Sequence, residues 1–212
     1  MNKRFLYLAV AIMTMFIASC EKDTDDTVVI EVVGIEGVPT IIEVANKDIA
    51  KIKIFVSAVR QNSQGQIYFV NNVVATTKIE NGSIKLNFPA TVPEKYLGSM
   101  HELFSIFSYE GITVSDRQAK TGDVRIYAYN SAGRFIGDFR LWGNEWFTEI
   151  KYSDRSFTEK GCFQSGREAN SHFNKGLNIV YFSLGSNTKT TTQKPLNDDF
   201  RWVLWPPPTV GL

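Results

Sequence analysis

The chain has 212 residues, enough for one sizeable domain or two small ones with a buried core. Apolar residues make up 43% and charged residues 21%, a balance that excludes wholesale disorder. With 23 basic and 22 acidic side chains the net charge is +1, so nucleic acid is not an expected partner; two cysteines and two histidines are few for a four-ligand zinc site.

Lys3 and Arg4 open the chain, and Phe5 to Ile17 follow as an apolar stretch broken only by Thr14. A positive start, a short apolar run and a small-residue exit make a secretory leader, too short for a membrane span of about 20 residues. The exit, Ile17-Ala18-Ser19-Cys20, resembles the bacterial lipobox. Small side chains at Ala18 and Ser19 let a peptidase hold extended backbone, while the Cys20 thiol accepts a diacylglyceryl group. Cleavage before Cys20 frees an amine for a further acyl chain, and stable anchoring takes about two chains. An ordinary leader with a chance cysteine is the competing reading. Residues 1–20 are thus expected to be a lipoprotein signal, and Cys20 the point of lipid attachment.

Residues 21–27, Glu-Lys-Asp-Thr-Asp-Asp-Thr, hold no aliphatic side chain and read as a solvated tether. Their acidic pattern is similar to the export signal of Bacteroidetes lipoproteins, which implies the outer membrane and its outward face. A plain spacer, with the protein on the periplasmic face, is the alternative. Loss of Lys3 and Arg4 leaves a net charge of −1, with no electrostatic reason to seek anionic polymers.

Past residue 27 the apolar period is two. Ala50, Ile52, Ile54, Val56 and Ala58 alternate with Lys51, Lys53 and Ser57; Ile84, Leu86 and Phe88 follow the same rule. So do Val124, Ile126 and Ala128 against Arg125 and Tyr127, and Phe135, Phe139 and Leu141 against Arg134, Asp138 and Arg140. This predicts half-buried antiparallel strands. Stretches 177–184 and 200–205 are apolar on both faces and predict central strands. Asn62-Ser63-Gln64-Gly65, Asn81-Gly82, Asn130-Ser131-Ala132-Gly133 and Asn174-Lys175-Gly176 read as hairpin turns. Between the strands, Thr91-Val92-Pro93-Glu94 resembles a capping box, and Tyr96, Leu97, Met100, Leu103, Phe104 and Phe107 recur at helical spacing. The expectation is an all-β antiparallel sandwich of about ten to twelve strands over 28–206, a 207–212 tail, and at most one short helix near 92–107. Two halves, 28–90 and 122–206, are the alternative division.

Several phrases extend the resemblance to uncharacterised Bacteroidetes surface lipoproteins. They are Phe88-Pro89-Ala90-Thr91-Val92-Pro93, Glu110-Gly111-Ile112-Thr113-Val114-Ser115, Val124-Arg125-Ile126-Tyr127-Ala128-Tyr129 and Lys175-Gly176-Leu177-Asn178-Ile179-Val180-Tyr181. Leu177 stands where tryptophan is commoner. The resemblance implies an all-β lipoprotein and carries over no active site.

Chemistry-bearing residues form no known motif. Cys162 and His172 are ten residues apart with no protease signature around them, and a buried thiol with a surface histidine is the plainer reading. His101 has only Glu102 beside it. Asp198-Asp199 and Asp23, Asp25, Asp26 lack the spacing of a calcium loop. Glycosidase carboxylates need about 5–9 Å between them, which no motif selects here. The sequence therefore nominates no catalytic, cofactor-binding or metal-ligating residue.

Aromatics are the remaining signal. Phe135, Phe139, Trp142, Trp146, Phe147 and Tyr152 crowd one region, and Trp202 and Trp205 lie near the end. Trp142 and Trp146 flank Gly143-Asn144, a turn, and are nominated as a ligand platform; core packing is the alternative. Three roles remain open: a lipid-anchored accessory or interaction module without chemistry of its own, a glycan-binding module using Trp142 and Trp146, and a hydrolase with an unrecognised site. The partners expected are the membrane through Cys20, and a glycan or another surface protein.

Overall fold

The computed structural model describes residues 32–33, 41–43, 48–78, 83–86, 88–107, 109–185, 188–196 and 198–205. Leader, tether, the Asn81-Gly82 turn and the 207–212 tail lie outside them. Two short antiparallel pairs stand apart, β1 (Val32–Val33) with β6 (Phe88–Pro89) and β2 (Ile41–Glu43) with β5 (Ser83–Lys85). Twelve strands share one sheet. They are β3 (Lys51–Gln61), β4 (Ile67–Lys78), β7 (Gly98–Ser99), β8 (Ile112–Val114), β9 (Lys120–Tyr129) and β10 (Phe135–Trp142). The others are β11 (Trp146–Ser153), β12 (Phe157–Cys162), β13 (Glu168–Phe173), β14 (Gly176–Ser183), β15 (Lys189–Thr191) and β16 (Arg201–Trp205). The order is β4-β3-β9-β10-β11-β14-β15-β13-β12-β8, with β16 on β10 and β7 on β9. Among the described residues only β13 with β15 is a parallel pair. The fold is all-β, as the alternation predicts.

Period two sets which side chains enter the cores. On β13, Ala169, Ser171 and Phe173 are buried while Glu168, Asn170 and His172 are exposed. One core gathers Ile52, Ile54 and Val56 of β3, Val124 and Ile126 of β9, Phe139 of β10 and Ile150 of β11. Leu86, Phe88, Val92 and Leu97, from the segment between β5 and β7, close it from above. A second core joins Val180 of β14 to Ala169 and Phe173, Phe157 of β12, and Ile112 and Val114 of β8. β14 and β12 stand three strands apart, about 14 Å in a flat sheet. That residues of both belong to one core fits a strongly curved, sandwich-like sheet.

Four local expectations change. β3 is not half-buried: Ile52 to Ala58 are all buried, and Lys53 sits with its ammonium 5.3 Å from the Tyr129 ring. The helix does not begin at the Thr91–Glu94 phrase, where residues Glu94–Tyr96 make one 3-10 turn. The chain then extends so that Gly98 and Ser99 pair with Thr121 and Lys120, and helix α1 (Met100–Phe107) begins only after them. Its capping box is Ser99 with Glu102: the Glu102 N–H donates to Ser99 Oγ and the Ser99 N–H donates to Glu102 Oε2, both at 3.1 Å. β14 is central, as read, but β16 has β10 as its sole strand partner among the described residues. It is apolar on both faces because Trp202 and Leu204 join the first core while Trp205 faces the other way. The Asn174–Gly176 turn makes no hairpin, since among the described residues β13 and β14 are not paired with each other; β15 lies between them in the sheet. Asn178 ties the turn down, with its Nδ2 donating to the Asn174 carbonyl at 2.8 Å. Among the described residues no helix is long and apolar enough to cross a membrane.

Candidate functional site: an aromatic row beside a charged fork

The turn between β10 and β11 is built as the sequence suggests. The Gly143 N–H donates to the Trp146 carbonyl at 2.8 Å, and the Asp198 carboxylate accepts the N–H groups of Asn144 at 2.7 Å and Glu145 at 3.4 Å. Asp198 is thus a cap for this turn. A side chain at Gly143 would meet it, because an added Cβ would lie 2.2 Å from Asp198 Oδ2.

The two nominated tryptophans fall on opposite faces of the sheet. Trp142 lies opposite Phe147, so Trp146, one residue before, points the other way. Trp146 packs with Leu141, Ile179, Tyr181 and Phe200 against the core side. Trp142 instead joins a row that crosses four strands: Trp205, Trp142, Phe147 and Phe182. Consecutive ring centroids are 5.2, 5.5 and 4.8 Å apart and the planes within 25° of parallel. Trp142, Phe147 and Phe182 are directly opposite one another on adjacent strands, so their rings stack at the strand spacing, whereas Trp205 lies opposite Asp138 and reaches Trp142 by lying along the strand. Trp142, Phe147 and Phe182 are half-buried, and Phe182 also packs against the second core. The Arg140 guanidinium lies 5.6 Å from the Trp205 centroid and Arg167 5.4 Å from Phe182. Trp205 is 44% exposed.

Next to the row the sheet forks. β9 pairs with β11 from Thr121 to Val124 and with β10 from Ile126 onward, so its neighbour changes at Arg125. The arms of the β10–β11 hairpin meet at Trp142 and Phe147 and swing apart at its base. They leave a gap of about 40 Å³, lined in part by Asp123, Arg125, Asp138, Arg140, Phe147 and Glu149. Thr148 Oγ1 spans the arms by donating to the Leu141 carbonyl at 2.9 Å.

Charge of both signs fills this fork. Lys151 Nζ lies 2.8 Å from Asp123 Oδ1 and 3.9 Å from Glu149 Oε2, Arg125 lies 3.5 Å from Asp123 Oδ2, and Arg140 Nε donates to Asp138 Oδ2 at 2.6 Å. Burial opposes the charge on Asp123, but Lys151 and Arg125 outweigh it and hold the carboxyl below its usual range. Burial likewise opposes the Lys151 ammonium, and Asp123 with Glu149 drive its pKa far above the usual value. Glu159 comes from β12 and is 9% exposed. Burial lifts its carboxyl above the ordinary range, with Lys151 offsetting part of the effect. Burial also raises the Tyr109 phenol, against the pull of Lys151.

None of these fork residues is singled out by a motif, yet a signal exists. Asp123-x-Arg125, Asp138-x-Arg140 and Glu149-x-Lys151 place an acid and a base two apart on three strands. Period two puts each pair on one face. The row was partly legible as an aromatic cluster; Phe182 was not, because nothing local links it to Trp142.

Other nominated groups stay apart. Cys162 pairs across the β12–β13 hairpin with Glu168 and His172 with Thr158, so thiol and imidazole stand about 13 Å apart along the strands. Cys162 is exposed, not a buried hydrophobe, because it closes β12 on the outward side. His101 is an exposed residue of α1. Among the described residues no three His, Cys, Asp or Glu side chains gather as a metal site. A shallow hollow of about 520 Å³ lies at the β9–β10 turn, lined by Asp48, Asn130, Ser131, Arg134 and Phe135 among others. Cys20 lies outside the described residues. No protein family, curated protein or solved structure matches the chain.

Proposed function

We propose that this is a lipid-anchored outer-membrane protein whose β domain binds a partner and performs no turnover. The anchoring part rests on the Lys3-Arg4 start, the apolar run and Ile17-Ala18-Ser19-Cys20. Metabolic labelling with a fatty-acid probe tests it: wild type takes up label and Cys20→Ala does not, and equal labelling refutes the anchor.

The observation that supports binding is the aromatic row. Exposed Trp205 and half-buried Trp142, Phe147 and Phe182 form a stacked aromatic row between Arg140 and Arg167, a composition typical of contact surfaces. Inner rings use their faces on one another, so the row suits apolar side chains of a protein better than the flat face of a sugar. A photo-crosslinking residue at position 142 should trap a defined partner that a probe at exposed position 172 does not. Equal trapping at both positions removes the row from consideration. A glycan-array signal abolished by Trp205→Ala would move the assignment to the glycan reading, since only an end ring can offer a face.

One observation favours hydrolysis: Asp123 is pushed down and Glu159 up, the polarity that separates base from acid in such enzymes. Against that reading, the gap beside Asp123 has a volume of about 40 Å³, small for a substrate, and Glu159 does not line it. Turnover of any glycan or peptide by the purified protein, lost in Glu159→Gln, would reverse this.

A further inference from the structure

β13, β12 and β8 close one end of the twelve-stranded sheet, and among the described residues β15 is the strand that pairs them to the rest. That link is short. β13 meets β15 from Glu168 to Asn170, and β15 meets β14 at Tyr181 and Phe182, whereas β3 runs beside β9 from Lys51 to Ser57. The chain flanking β15 adds a little: the Glu168 N–H donates to the Thr188 carbonyl at 3.0 Å. Thr192 Oγ1 accepts the His172 N–H at 2.8 Å and donates to the His172 carbonyl at 3.0 Å. What holds this three-strand panel is therefore mainly the apolar face it turns into the second core, with Ile112, Val114, Phe157, Ala169 and Phe173.

Polar groups interrupt that face. Glu159 lies on β12 opposite Ser171 of β13 and Val114 of β8, and is 9% exposed. Ser171 is buried, and so is Thr190 of β15, which lies opposite Ala169. Among the described residues neither hydroxyl makes a hydrogen bond. Each of these groups loses water when the panel packs and is not repaid in full, so each favours release. Lys151 of β11 is the charge that draws on Glu159, but its ammonium already lies 2.8 Å from Asp123 and 3.9 Å from Glu149. The Tyr109 phenol, just before β8, is the other titratable group within its reach. Lys160 and His172, beside the pair in sequence, are exposed on the outward face, and Glu102 of α1 is engaged by Arg60. Burial outweighs Lys151 and lifts the Glu159 carboxyl above its ordinary range, so the charged form is the one the packed panel tolerates least.

We propose that β8, β12 and β13 are a pH-sensitive panel: as Glu159 ionises, their inner face leaves the second core while the other strands stay paired. The sign follows from linkage. The packed state holds the proton more tightly, so it is favoured while the carboxyl is protonated and loses ground as pH rises through the folded value. Release lets water reach Glu159, Ser171 and Thr190 together. It also bares the packed side of Phe182, which belongs both to the second core and to the aromatic row.

The test is hydrogen exchange read by mass spectrometry on the full chain carrying Cys20→Ala. Each rate is divided by that of an unstructured peptide of the same sequence at the same pH. From pH 5 to pH 8 the corrected exchange of β12 and β13 should rise at least about threefold, while that of β9 stays within about twofold. In Glu159→Gln the rise should vanish. A thiol gives a second readout, with Ala169→Cys in a Cys20→Ala, Cys162→Ser background. Position 169 is buried in the second core, so its labelling by a water-soluble thiol reagent, relative to exposed Cys162 of the Cys20→Ala chain, should be at least about threefold faster at pH 8 than at pH 5. Glu159→Gln should remove that difference too. Exchange of β12 and β13 that is flat across this range, that rises equally in β9, or that rises equally in Glu159→Gln would each overturn the proposal.

Discussion

Replacing Lys151 by methionine asks whether charge holds the fork together. Methionine keeps most of the apolar stem and removes an ammonium that lies 2.8 Å from Asp123 and 3.9 Å from Glu149. Breaking a fully enclosed ion pair costs about 3–5 kcal/mol. Here Lys151 and Asp123 each keep 28% of their side-chain exposure and Arg125 still neighbours Asp123, so about 2–3 kcal/mol is expected. With a urea slope of about 2 kcal/mol per molar, the unfolding midpoint should fall by about 1 M at pH 7. The pH dependence has a definite sign. Asp123 has a folded pKa below its unfolded one, so its stabilisation is present above the unfolded value and is lost as pH falls through the folded value. The gap between wild type and Lys151→Met should therefore narrow as pH drops from 7 toward about 3. A midpoint shift under about 0.3 M at pH 7, or a gap that persists in acid, would show that the stem and not the charge is what matters.

Glu159 should behave in the opposite sense. Its folded pKa is raised by burial, so its contribution is present below the unfolded pKa and lost as pH rises toward the folded one. Glu159→Gln should be more stable than wild type at pH 8 and equal to it near pH 3, by thermal melts across pH; a less stable variant at pH 8 contradicts the sign. Trp146→Ala should lose about 2–4 kcal/mol because Trp146 packs against Leu141, Ile179, Tyr181 and Phe200, and a loss below about 1 kcal/mol would place it outside the core. Gly143→Ala should cost about 1–3 kcal/mol through contact with Asp198 and much less in an Asp198→Ala background, as measured by a double-mutant cycle.

Strands were legible wherever one face met a core and the other met water. Val124, Ile126 and Ala128 announce β9 because their neighbours are polar. β3 misled, since Lys53 and Ser57 are polar yet buried, and alternation in sequence does not say that the polar face is open. The helix start was misplaced because two capping phrases compete, and tertiary pairing of Gly98-Ser99 with β9 chose the second. Trp142 and Trp146 share a turn in sequence, but their register on the two arms sends them to opposite faces. Long-range partners such as Phe182 for Phe147, or Lys151 for Asp123, depend on strand order, which local periodicity does not encode.

β9 runs between β3 and β7 along one side and β10 and β11 along the other. Its amides are thus enclosed by neighbours from both sides of the fork. Hydrogen exchange there demands that four strands release together, so its protons should be among the last to trade with solvent, at a free energy near that of global unfolding. A chain in which ten residues hold both branches cannot lose one branch quietly. Local damage anywhere along β9 becomes damage to the whole, and the protein is expected to melt in a single transition.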